Sequence, residues 1–250
     1  MITESFDLKT RPIIGLRDIY GERREPRADV CLITFSEVIA EAILAGRDCR
    51  KIAEIGACNG NIPIYAFEQA GRRIAFYLSP IGSAVASECL LEANWLTGAA
   101  KFVVFGSSGS LDFEKTAGRF VIPTACYRDE GTSYHYAPPA DYIAVKNADA
   151  VKAIFEELKV PFVEGKSWTT DAFLRETAGQ MAARKAEGCI TVEMELAGLQ
   201  AVCDFEGLAL YAFLVTGDVL SEDEYSVGTL ADANHNIDKL RLALEIAGKV

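Results

Sequence analysis

Phe102–Phe105 is an unbroken apolar run, Phe-Val-Val-Phe, with no polar side chain to turn towards water. A strand of that kind has to be covered on both faces, the condition of a central strand in a parallel sheet. Val30–Phe35 and Leu208–Val215 have the same apolar character and predict two further inner strands. Helical patterns separate them. Ser36 is a suitable N-cap for a helix ending near Gly46, and Ala84–Leu96 places Val85, Cys89, Leu90 and Ala93 on one face. Further helices are predicted at Asp149–Leu158, Arg175–Glu187, from Thr191–Leu199 to about Phe205, and at Asn236–Ala247. Strand–helix alternation with short connectors implies an α/β fold with a mostly parallel sheet flanked by helices.

Shorter strands are expected at Arg73–Leu78, Arg119–Ile122 and Phe162–Gly165, and at Lys51–Cys58 and Ile62–Phe67 around an Asn59-Gly60-Asn61 turn. Residues 1–28 are polar and irregular and predict an N-terminal arm lying on the body or on a neighbouring subunit. Residues 29–250 show no linker or repeat and suit one domain.

The formal net charge of −11 argues against nucleic acid or an anionic membrane as partner. No secretory signal or bilayer-length apolar run is visible, and the seven cysteines are scattered, so a reduced, cytoplasmic setting is expected. Two histidines and no clustered ligands make a metal site unexpected.

Four segments, 79–84, 106–110, 166–173 and 216–220, each follow a predicted strand, where open α/β sheets bind ligands. Gly106, Ser107 and Ser108 open a Gly/Ser loop that offers backbone N–H groups and hydroxyls to an anion, or is an ordinary turn. Asp218 ends an apolar strand and is either a general acid raised by its surroundings or a cap for Ser221-Glu-Asp-Glu224. Glu193 and Glu195 flank Met194 at a predicted helix mouth, where they serve sugar hydroxyls or the helix dipole. Trp168 and Phe173 stack on a planar ring or fill the core.

Together Ser79-Pro-Ile-Gly-Ser83, Phe105-Gly-Ser-Ser-Gly-Ser-Leu111, Asp129-Glu-Gly-Thr-Ser-Tyr-His-Tyr-Ala-Pro138, Gly165-Lys-Ser-Trp-Thr-Thr-Asp-Ala-Phe173, Val192-Glu-Met-Glu195 and Val215-Thr-Gly-Asp218 resemble the nucleoside phosphorylase family. Its branch here includes hexameric purine nucleoside phosphorylase, uridine phosphorylase and the methylthioadenosine/adenosylhomocysteine nucleosidases. The resemblance implies a three-layer α/β/α fold around a mixed, largely parallel sheet that partly closes like a barrel. It implies cleavage of a nucleoside N-glycosidic bond by phosphate as co-substrate, with no cofactor, and a homo-oligomer, dimer or trimer of dimers. By position, Glu195 would hold the ribose 2′-hydroxyl, Met194 would lie against the sugar and Glu193 would flank sugar or base. Phe173, with Trp168 and Thr169, would meet the base. Gly106, Ser107 and Ser108 would bind phosphate, and Asp218 would protonate a purine.

Four family features are absent, one of them the N-terminal histidine that some members lend to a neighbour's sugar site. Ile33-Thr-Phe-Ser-Glu37 replaces a Gly- and Arg-bearing loop, Val104 replaces an Arg before the Gly/Ser segment, and Leu174-Arg-Glu-Thr-Ala178 replaces a uracil-reading pattern. Arg47, Arg50, Arg128 and Arg175 are the candidates to supply the missing guanidinium. Phosphorolysis of a purine or uridine-type nucleoside is the leading expectation. Hydrolysis on the same scaffold, or nucleoside binding without catalysis, are the alternatives.

Overall fold

The structure, a computed structural model, describes residues 3–4, 6–221 and 224–250. Its strands are β1 (Val30–Thr34), β2 (Arg50–Ile55), β3 (Ile62–Gln69), β4 (Arg72–Leu78), β5 (Lys101–Ser110), β6 (Phe120–Asp129), β7 (Tyr142–Ala144), β8 (Phe162–Thr170), β9 (Cys189–Glu193), β10 (Ala209–Leu220) and β11 (Tyr225–Ser226). The helices are α1 (Leu16–Tyr20), α2 (Glu37–Gly46), α3 (Ser83–Thr97), α4 (Phe113–Thr116), α5 (Ala148–Glu157), α6 (Ala178–Ala186), α7 (Leu196–Glu206), α8 (Leu230–His235) and α9 (Ile237–Lys249).

One mixed sheet carries all the strands. The apolar runs sit at its middle, where β4, β1, β5 and β10 pair in parallel. The side chains of Leu32, Ile33, Phe102, Phe105, Leu210 and Phe213 are fully withdrawn from water there. Strand β5 also pairs with β9, so β10, β6, β8, β9 and β5 close into a ring. The β2–β3 hairpin forms, but its connection runs over residues 56–61, longer than a two-residue Asn-Gly turn.

The ring explains the main departures from expectation. The predicted loop Gly106–Ser110 is strand: Gly106, Ser107 and Ser108 pair with Leu214, Val215 and Thr216, and Gly109 pairs with Val192. Small residues are needed because two strands crowd this one. A Cβ on Gly109 would lie 2.7 Å from Leu220 and 2.9 Å from Val192. Lys166–Thr170, also expected as a loop, continues β8 between β6 and β9. Thr191–Glu193 is strand rather than helix, and α7 starts only at Leu196.

The segment before Asp29 lies on the body. The Tyr20 hydroxyl donates to Glu92 of α3 at 3.1 Å, and the Arg27 and Ala28 amides donate to the Thr97 carbonyl. No helix among the described residues is long and apolar enough to cross a membrane.

Candidate active site

A cavity of about 840 Å³ opens where β5, β9 and β10 end. Gly106, Ser107, Ser108, Glu193, Met194, Glu195 and Asp218 all line it, as does Phe173. Segments far apart in sequence therefore meet as the sequence pattern predicts. Phe173 stands 58% exposed at this wall, in a short 3-10 turn with Leu174 and Arg175.

Glu193 and Glu195 have separate tasks. Both Glu193 oxygens are occupied by the protein. Oε1 accepts from the Ser167 hydroxyl at 3.2 Å and from the Thr169 hydroxyl, and Oε2 accepts the Glu195 and Leu196 amides, each at 2.7 Å. It caps the start of α7, where four orphan N–H groups need acceptors and a negative charge is favoured. Glu195 has no such cap role. Its Oε1 accepts the backbone N–H of Gly82 at 2.7 Å, and its carboxylate lines the cavity. Burial, reinforced by the Glu193 charge, pushes Glu195 up to about 8. Close approach of α7 to α3 makes the Gly82 contact possible: a Cβ on Gly198 would meet the Ser83 hydroxyl at 2.0 Å.

Two base-site expectations need correction. Trp168 is 1% exposed and does not line the cavity. It packs with Leu111, Met181, Cys189 and Val192 in a small core behind the wall, and its Nε1 donates to Asp129 at 3.0 Å. A buried indole with its N–H satisfied is a packing element. Thr169 is also buried. Its hydroxyl donates to Glu193 and accepts the Ala197 amide at 3.1 Å, so it braces the α7 entry.

Opposite in function stands an acid pair. Asp218 is raised by burial, although the Tyr225 hydroxyl hydrogen-bonds it and opposes the shift. Glu176 is pushed up to about 7 by burial and by the Asp218 charge. A neighbouring like charge in a poorly solvated pocket favours the protonated form of the acid beside it. Sequence reasoning missed Glu176 because it placed the residue inside a helix. Thr177 and Gln180 instead form a capping box that starts α6 at Ala178 and leaves Glu176 outside it. The available signal was Glu176 standing where the family's base-reading residues were sought. The alternative cap for Asp218, Ser221-Glu-Asp-Glu224, includes Glu222 and Asp223, which lie outside the described residues.

At the Ser107 end, that hydroxyl donates to Asn234 Oδ1, and the Ser108 hydroxyl is buried without a partner. Among the described residues no lysine or arginine lines the cavity. Arg128 is held by the Ser133 hydroxyl and the Pro138, Ala140 and Ala137 carbonyls, and Arg47, Arg50 and Arg175 are likewise absent from the wall. His235, which the sequence reading did not consider, lines the cavity with its Nδ1 2.9 Å from the Ser36 hydroxyl.

The sequence profile of the phosphorylase superfamily matches residues 29–247. The chain belongs to the phosphorylase superfamily. Uridine phosphorylase of Haemophilus influenzae is 25% identical to it over 186 residues, covering 68% of this chain and 72% of the relative. Two solved structures share the fold. AMP nucleosidase from Bacteroides thetaiotaomicron superposes with a TM-score of 0.67 at 18% identity, covering 88% of this chain and 86% of that one. The 5′-methylthioadenosine/S-adenosyl homocysteine nucleosidase of Campylobacter jejuni gives 0.71 at 17% identity, covering 89% of this chain and 100% of that one. Superfamily membership makes the chain an enzyme of the nucleoside phosphorylase and nucleosidase type. The ring of strands agrees with the partly closed sheet that the family resemblance implies.

Proposed function

We propose that the protein cleaves the N-glycosidic bond of a purine nucleoside, with phosphate as acceptor, giving the free base and a pentose 1-phosphate. The carrying observation is that Glu195 and two further raised acids, Glu176 and Asp218, line one cavity. Glycosidic cleavage builds positive charge on the sugar and negative charge on the leaving base. A carboxylate answers the first and a proton the second. Burial pushes Glu195 up to about 8 and so favours its neutral form, and a sugar hydroxyl donating to it favours the ionised form. As the sugar gains positive charge, that carboxylate stabilises the transition state more than the ground state. The Glu176/Asp218 pair passes its proton to N7 of a departing purine, and the base stacks against Phe173. Phosphate is received at Ser107 and Ser108.

Hydrolysis is the second reading. It is favoured by the absence of lysine and arginine from the wall among the described residues. Chromatography of inosine, adenosine, guanosine and uridine digests with and without phosphate separates the two. Phosphate-dependent purine release with pentose 1-phosphate is expected. Equal turnover in phosphate-free buffer overturns phosphorolysis, and preference for uridine overturns the purine assignment.

We also propose a cytoplasmic homo-oligomer. Unpaired cysteines at all seven positions support a reducing compartment, and Ile13, Ile14 and Ile19, exposed on the N-terminal stretch, offer an apolar contact. A monomer in analytical ultracentrifugation overturns the assembly.

A further inference from the structure

One buried charge is not used by the chemistry above. Lys239, in the first turn of α9, is 1% exposed. Its ammonium donates to the Ala233 carbonyl and, at 3.2 Å, to that of Asn234. Those carbonyls end α8, and a cation there is favoured by the helix dipole. Capping accounts for two donors but not for the full charge, because a neutral amide can donate two hydrogen bonds as well. Among the described residues its bonds go to backbone carbonyls and no carboxylate pairs with it, and burial pushes it down to about 8. An unpaired buried ammonium costs several kcal/mol, so a counter-ion is expected close by.

The space beside it points to where that ion goes. Lys239 lines a chamber of about 30 Å³ together with Thr34, Ser36, Gly106, Ser107 and Asn234. The chamber holds about one water and is too small for phosphate. Gly106, Ser107 and Asn234 line both this chamber and the large cavity, so it backs directly onto the Ser107 end. In the wall of the large cavity the Ser108 hydroxyl, in a residue 5% exposed, has no partner.

We propose that Lys239 is the positioning cation of the phosphate subsite, holding the anion against Ser107 and Ser108 from behind the Gly106–Ser107 wall. It replaces the guanidinium contacts that the sequence lacks at Val104 and Ile33–Glu37. The proposal rests on the phosphorolytic reading. A charge one layer away acts strongly because the intervening wall is protein, not water. The neighbouring carboxylates, Glu176, Glu195 and Asp218, would otherwise leave a phosphate without a counter-charge.

The test is Lys239→Gln, which keeps two amide donors for α8 and removes the charge. The KM for phosphate is expected to rise about tenfold, as for loss of a charge acting through protein, with the KM for nucleoside within about twofold. Unchanged phosphate KM overturns the proposal, as does a parallel rise in both KM values, which marks a purely structural cap. Should the variant not fold, the wild-type Lys239 ammonium can be followed by ¹H–¹⁵N NMR. Its resonance is expected to move on adding inorganic phosphate, and a resonance that stays still overturns the proposal. Phosphate-independent base release by the wild type removes the phosphorolytic reading and the proposal with it. Phosphate-dependent release with an unaltered phosphate KM in the variant removes the proposal alone.

Discussion

The backbone N–H of Gly82 donates to Oε1 of Glu195 at 2.7 Å, tying the entry of α3 to the entry of α7. The bond joins two segments remote in sequence at the cavity wall and fixes the carboxylate assigned to the sugar. It needs a close crossing of the two helices and a carboxyl held out of water. Both requirements can be measured.

Gly198 sits at that crossing, and Gly198→Ala drives a methyl into the Ser83 hydroxyl. A loss of about 1–3 kcal/mol in chemical denaturation is expected, with a raised nucleoside KM as Glu195 moves off Gly82. Ser83→Ala removes the clashing oxygen, so the double variant is expected to be less destabilised than the sum of the singles. Strict additivity in the cycle contradicts the close approach.

Glu195 titrates at about 8 in the fold against a reference of 4.5. Its raised value means the folded state keeps a proton that the unfolded chain loses. The stability it contributes is full below 4.5 and is lost as pH rises towards 8. Glu195→Gln is therefore expected to gain stability over the wild type on the order of 2–4 kcal/mol by pH 8, while losing most of its kcat/KM. Melting curves from pH 4 to pH 9 check the trend, and a gain that shrinks with pH contradicts it.

Catalysis as proposed needs an ionised Glu195 and a proton on Glu176/Asp218. With values of about 8 and about 7, kcat/KM is expected to be bell-shaped with its optimum between them. Glu176→Gln removes the like charge beside Asp218, so the remaining acid loses its proton at lower pH and the optimum shifts down. A profile unaltered by Glu176→Gln takes that residue out of the acid pair.

Thr169→Val keeps the shape of the side chain and deletes its bonds to Glu193 and to the Ala197 amide. Leaving buried partners unsatisfied is expected to cost about 1–3 kcal/mol, read as a lower denaturation midpoint. If the variant is as stable as the wild type, the bracing role at the α7 entry fails.

Trp168→Phe separates packing from base stacking. The loss of the Asp129 bond and part of the indole is expected to lower stability by about 1–3 kcal/mol and leave the nucleoside KM within about twofold. A large rise in KM at unchanged stability restores Trp168 to the base site.

Much of the fold and part of the site were legible before any coordinates. The unbroken apolar run Phe102–Phe105 and the predominantly apolar runs Val30–Phe35 and Leu208–Val215 read as central strands, because burial on both faces is written in local composition. The order of the motif segments brought Ser107, Glu195 and Asp218 to one place. The rest depended on partners remote in sequence. Gly106–Ser110 and Lys166–Thr170 read as loops because their polar, glycine-containing composition is that of a turn; pairing with β10, β6 and β9 makes them strands. Residue chemistry alone does not separate Glu193 from Glu195; the family resemblance assigns them different places, and the donors gathered around them from β8 and the Gly82 loop decide that Glu193 is the one used up. Glu176 and Lys239 carried no motif. Their charges acquired meaning when folding removed their water and set them beside one cavity, since desolvation is a property of the packed neighbourhood and not of the chain.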